Sequence, residues 1–130
     1  MFCLADTTGM AHPRAVAALL QAVLPLAAPA PVALHLHDTR GMGLANVCAA
    51  LACGVTHFDT AFGGMGGCPF VPGAAGNIAT EDTAHMLHAM EIATGIDLRK
   101  VALCSNRLAD YLGKPLPGKL YKLEPRDLLS

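Results

Sequence analysis

The sequence predicts an α/β fold built on a parallel sheet, and three observations carry that prediction. Short apolar runs alternate with segments of helical spacing, the order expected of right-handed βαβ units. The apolar runs end in the same dipeptide (Asp6-Thr7, Asp38-Thr39, Asp59-Thr60), so polar residues recur at the ends of successive strands. Of the 130 residues, 53% are hydrophobic and 15% charged, which suits strands buried on both faces.

Phe2 to Thr7 is the first of these strands, leading into a loop at Thr8-Gly9. Pro13 is tolerated as a first helical residue, and Val16, Leu19, Leu20, Val23 and Leu24 follow at helical spacing until Pro25, Pro29 and Pro31 end the pattern. The run from Val32 to Thr39 is the second strand. A second helix, about Gly43 to Cys53, places Leu44, Val47, Cys48 and Leu51 on one face and stops at Gly54. Thr56 to Ala61 is the third strand. A glycine-rich loop from Phe62 to Gly76 follows, then a very short fourth strand at Gly76–Ala79. Thr80 resembles an N-cap, with Glu81 and Asp82 in the first turn of a helix that packs Ala84, Leu87, Met90 and Ile92. A last helix, about Leu98 to Leu112, buries Val101, Cys104, Leu108 and Leu112 and closes at Gly113 and Pro115. Polar groups at the C-terminal ends of parallel strands are expected of a (β/α)₈ barrel. A flavodoxin-like sheet would place ligands there too, but needs a phosphate-cradling loop that Thr7-Thr8-Gly9 does not make.

Composition excludes several functions. Net charge is −1, with most Lys and Arg beyond residue 98, a solvated tail and no footprint for nucleic acid. No apolar run is long enough for a membrane span. Five cysteines without a CxxC pair or a secretion signal read as reduced thiols in the cytoplasm. Cys48, Cys53 and Cys104 read as packing, and Met86 and Met90 as core filler. His85 and His88 read as a solvated face.

The chemistry centres on Val32–Thr39. On a strand, His35 and His37 project from one face and Leu34 and Leu36 from the other. Two imidazoles spaced in this way can converge on one metal ion. Oxygen donors nearby in pattern are Asp6, Asp38, Asp59 and Asn77, a set that favours a hard-to-borderline divalent ion. Asp38 points opposite to His37, so it orients a ligand or caps the next helix. Asp6 holds a reacting group or turns the chain at a strand end; spacing leaves both open. Asn77 is the one amide of a glycine-rich segment, placed to approach a site or to sit in an Asx turn. Cys68, flanked by Gly66 and Gly67, can enter a site when its loop closes, or is an incidental thiol.

Taken together, the motifs are specific. His35-Leu36-His37-Asp38-Thr39, Gly43-Leu44-Ala45-Asn46, Gly63-Gly64-Met65-Gly66-Gly67-Cys68-Pro69-Phe70 and Gly76-Asn77-Ile78-Ala79-Thr80-Glu81-Asp82 closely resemble the 3-hydroxy-3-methylglutaryl-CoA lyase family. The resemblance runs from about Leu4 to about Lys119. It implies that His35, His37 and Asn77 hold a Mg²⁺ or Mn²⁺ ion and that Cys68 is the catalytic loop cysteine. It also implies that Asp6 is an active-site aspartate and that Gly66 and Gly67 belong to the substrate loop. The implied substrate is an acyl-CoA, cleaved by a retro-Claisen reaction. Condensing enzymes of the superfamily have Asn-Asp where this chain has Asp38-Thr39 and lack the Cys-Pro loop.

Two family features are missing: an Arg-Asp strand ahead of the H-x-H strand, and an acidic residue on the next. A (β/α)₈ barrel takes about 250 residues. The expectation is therefore a partial barrel, about its last four β/α units plus a C-terminal helix. Residues 1–96 are read as the C-terminal half of the lyase domain and residues 97–130 as helix and tail. Such a chain is expected to pair with an N-terminal half-barrel or to form a homo-oligomer. The alternatives are a non-catalytic half-barrel module and an aldolase or condensing enzyme of the same superfamily.

Overall fold

The computed structural model describes residues 1–67 and 76–128, which form two compact units. The first comprises Met1–Asp59 with residues 67 and 76–77; the second comprises Thr60–Gly66 and the chain from Ile78 onward.

The first unit contains β1 (Phe2–Ala5), α1 (Pro13–Ala27), β2 (Val32–His35), α2 (Gly43–Ala52) and β3 (His57–Asp59). The three strands form a parallel sheet in the order β1-β2-β3, as the βαβ alternation requires. In β2, Val32, Ala33 and Leu34 are all buried, the continuous burial of a central parallel strand. Across the ladder Ala5, His35 and Asp59 stand side by side, as do Cys3, Ala33 and His57. These residues share one face of the sheet, while Leu34 and Leu36 lie buried on the other.

The strands are shorter than the sequence suggests. The third shrinks to His57–Asp59, and the H-x-H segment leaves the ladder after His35. His37 makes an isolated antiparallel bridge with Asn77, and Ala61 an isolated parallel bridge with Ala79. The expected fourth strand is thus only two isolated bridges of opposite sense. Helix α1 runs through Pro25 to Ala27, because Pro25 is exposed in the last turn, where its missing donor costs one ladder bond. Helix α2 is rotated from expectation: it buries Gly43, Asn46, Val47 and Ala50, leaving Leu44, Cys48 and Leu51 half-buried. Two of the four, Gly43 and Ala50, have almost no side chain, so the backbone can approach its neighbours closely.

The second unit contains α3 (Thr80–Ala89), α4 (Leu98–Leu112) and short 3₁₀ turns at Phe62–Gly64, Leu120–Lys122 and Pro125–Asp127. Thr80 is inside α3, not its cap; its hydroxyl hydrogen-bonds the Thr60 hydroxyl at 2.8 Å. Met90, expected in the core, lies past the helix end and is 46% exposed. Helix α4 starts on Asp97, whose carboxylate accepts from the Arg99 and Lys100 amides at 3.1 and 3.2 Å, and ends at Gly113 with φ 65°. It buries Leu98, Ala102 and Ser105, so Cys104 is exposed rather than packed and Leu112 is 40% exposed. The tail is better packed than its sequence suggests, since Leu116, Tyr121 and Leu128 cluster with Ala102. No described helix is long and apolar enough to cross a membrane.

Candidate metal centre

His35 closes β2 and His37 follows it in a segment held by the bridge to Asn77 and by the Asp38 amide donating to the Gly76 carbonyl at 2.7 Å. The two imidazoles converge: Nε2 of His35 lies 3.2 Å from Nε2 of His37, with ring centroids 5.1 Å apart and planes at 66°. That separation spans two metal–nitrogen bonds of about 2.1 Å meeting near 100°, between octahedral and tetrahedral angles. His37 is 7% exposed, and its Nδ1 has no hydrogen-bond partner among the described residues. The pair thus fits a divalent ion. Asn77 is half-buried and bridged to His37 through the backbone. Among the described residues no group of three or more His, Cys, Asp or Glu side chains could hold a metal.

Asp38 caps α2: its Oδ1 accepts from the Gly43 amide at 2.8 Å. Asp6 turns the chain after β1. Its Oδ1 accepts from the Met10 and Ala11 amides at 3.1 and 3.3 Å, and its Oδ2 from Ala11 at 3.3 Å. A carboxylate has about four acceptor positions, so capacity remains for a reacting group. Gly66 adopts φ 112°, and a side chain on Gly67 would meet open space. Cys68 lies outside the described residues.

Three residues not singled out from sequence lock the Asp6 loop beside the histidines. Arg40 donates through Nη1 to the Thr8 and Gly9 carbonyls at 2.9 and 3.2 Å. Asn46, fully buried on α2, donates to the Ala11 carbonyl at 3.0 Å. Gly9 sits at φ 62°, where a Cβ would come 2.7 Å from the Thr39 side chain and 3.3 Å from His37 Cβ. The available signal was Asn46, an amide inside an otherwise apolar helix. An apolar cavity of about 160 Å³ between the sheet and α1 is lined by Leu4, Val16, Leu20, Leu34 and Leu36, on the face opposite the histidines.

Comparison with known proteins places this geometry in context. A family model described as HMGL-like matches residues 1–107. The chain is 49% identical to the (R)-citramalyl-CoA lyase of Chloroflexus aurantiacus over 122 residues, covering 94% of this chain and 38% of that protein. It is 46% identical to the hydroxymethylglutaryl-CoA lyase YngG of Bacillus subtilis over 116 residues, 89% of this chain and 39% of that protein. A structure of an HMG-CoA lyase from Acinetobacter baumannii, in complex with coenzyme A and 3-methylmalate, superposes with a TM-score of 0.88 at 47% identity. That match covers 98% of this chain and 42% of the other. The chain therefore spans roughly two fifths of the length of these relatives, and its α/β fold is part of a (β/α)₈ barrel.

Proposed function

The chain belongs to the HMGL-like family, and from that membership we propose that it is the metal-binding portion of a carbon–carbon lyase acting on a 3-hydroxyacyl-CoA. The substrate we assign is 3-hydroxy-3-methylglutaryl-CoA, cleaved to acetyl-CoA and acetoacetate. The convergence of the His35 and His37 Nε2 atoms at 3.2 Å carries the reading. Two imidazoles held in that way can chelate one divalent cation, and the relatives that share the segment are lyases of acyl-CoA esters.

His35, His37 and Asn77 would hold Mg²⁺ or Mn²⁺, which when bound supplies Lewis acidity toward the substrate's hydroxyl and carboxylate oxygens. The reaction needs a base to take the tertiary hydroxyl proton. The bond from that carbon to the thioester's α-carbon then breaks, and its electron pair passes to the thioester enolate. The hydroxyl oxygen becomes the ketone of acetoacetate, and the enolate carbon is protonated to acetyl-CoA. Asp6, fixed by two backbone amides at the end of β1, would hold the hydroxyl or its proton. Cys68, between Gly67 and Pro69, would serve as the acid or proton relay when its loop excludes water.

The test is an assay of the full native chain with 3-hydroxy-3-methylglutaryl-CoA and Mn²⁺. We expect release of acetyl-CoA that EDTA abolishes and Mn²⁺ restores. His37→Ala should lower metal affinity and turnover together; wild-type Mn²⁺ affinity in that variant would remove His37 from the ligand set. Cys68→Ser should slow turnover and spare metal binding, and unchanged turnover would reduce Cys68 to a loop residue. The 49% identity to a citramalyl-CoA lyase favours a second acyl group, and the same assay run on citramalyl-CoA decides between them. Condensation of acetyl-CoA with a 2-oxo acid, without cleavage of either ester, would replace the lyase by a synthase.

A further inference from the structure

The strongest unassigned group near the histidines is the carboxylate of Asp59. It ends β3 directly opposite His35 in the parallel register, so both side chains leave the same face of the sheet. Its Oδ2 lies 3.6 Å from Nδ1 of His35, the ring nitrogen on the far side from the one that faces His37. That gap is too short to hold a water and slightly too long for a formed hydrogen bond. A small rotation of the exposed Asp59 side chain would close it. The same Oδ2 lies 3.7 Å from the Cys3 thiol, two strands away on the same face. The Cys3 thiol is held above its ordinary range by desolvation first and by the Asp59 charge second, and it donates to that carboxylate. Asp59 thus has a donor on each side and faces the outer nitrogen of a candidate ligand.

We propose that Asp59 is a positioning residue for His35: it accepts the Nδ1 proton and fixes the tautomer that leaves the Nε2 lone pair facing His37. The proposal rests on the metal-site reading above. Neutral imidazole carries one proton, and which nitrogen is metallated is set by the hydrogen bond the other makes. His37 has no such partner at its own Nδ1 among the described residues. The orienting carboxylate therefore falls to His35 alone, and the two histidines are unequal. Asp59 is not itself a ligand in this geometry, because it meets the ring at the nitrogen opposite the shared site.

The experiment compares wild type, Asp59→Asn and Asp59→Ala in the full native chain. Mn²⁺ binding is measured by calorimetry and the His35 tautomer by ¹⁵N NMR of metal-free protein. Loss of an orienting partner typically weakens metal binding about 10–100-fold. We expect Asp59→Ala to fall in that range and to lose the Nδ1–H tautomer at His35. Asp59→Asn, whose amide oxygen still accepts, should keep the tautomer and weaken Mn²⁺ less. Asp59 is exposed, so far-UV circular dichroism should not change. Wild-type Mn²⁺ affinity and an unchanged His35 tautomer in Asp59→Ala would overturn the proposal. A wild-type protein that binds no Mn²⁺ would overturn the metal-site reading instead, and the proposal with it.

Discussion

Gly9 shows how tightly single residues constrain the candidate site. Its φ of 62° is a conformation L side chains rarely adopt, and a Cβ there would press on Thr39 at 2.7 Å. Gly9→Ala should therefore destabilise the protein by about 1–3 kcal/mol; urea unfolding checks it, and a loss below a few tenths would show that the loop relaxes. The same packing explains what the sequence could and could not disclose at this scale. His35 and His37 were legible because the alternation of an extended segment is local, and it brings the two rings together even though β2 itself ends at His35. Asp59 belonged to a candidate oxygen set, but its place opposite His35 depends on the register between β2 and β3, which no local pattern encodes. The grip of Arg40 and Asn46 on the Asp6 loop could not be placed from sequence, although Asn46 stands out as an amide in an apolar helix, because each acts on backbone carbonyls more than thirty positions away in the chain.

Among the elements, α3 depends on two acidic residues that its first turn would ordinarily present to solvent. Glu81 is fully buried, and both its oxygens accept from the Gly63 amide at 3.1 and 3.0 Å. Asp82 accepts from the Lys119 and Leu120 amides at 2.9–3.1 Å and so holds the turn that follows α4. Asp82→Ala would strand two backbone donors. The expected cost is about 1–3 kcal/mol, read as a lower denaturation midpoint and as faster amide exchange at Lys119 and Leu120. Wild-type exchange at those amides would show that solvent serves them equally well. Helix α4 carries a pH dependence. The Asp97 carboxyl is held below its usual range, first by the Lys100 amide it accepts from. A depressed folded-state value favours the ionised form, so the cap's contribution is present above the ordinary carboxylate range and is lost as pH falls through the folded value. Protection of the Arg99 and Lys100 amides, measured against their intrinsic exchange rates at each pH, should fall on acidification, and Asp97→Ala should abolish that dependence. The bounds of α4 could be read from the sequence, because Gly113 is a local signal. Its buried stripe, shifted one position to Ala102 and Ser105, could not be, because tertiary packing chose small residues over the most apolar ones.

For the whole molecule, the metal site proposed above is electrically incomplete. Its donors are two imidazoles and an amide, all neutral in the ligating form, and no described cluster adds a carboxylate ligand. A divalent ion in such a set keeps its full charge, and hard ions such as Mg²⁺ and Mn²⁺ prefer oxygen anions. The relatives are more than twice as long as this chain, so most of a barrel of their kind lies outside the matched segment. A carboxylate delivered there would both neutralise charge and complete the coordination. This predicts that the 130 residues alone bind Mn²⁺ weakly, and that adding an N-terminal half-barrel tightens binding by at least about tenfold, or 1.4 kcal/mol. Calorimetric titration before and after that addition is the measurement. Mn²⁺ affinity that the added half leaves unchanged would mean that the donors are already complete within this chain.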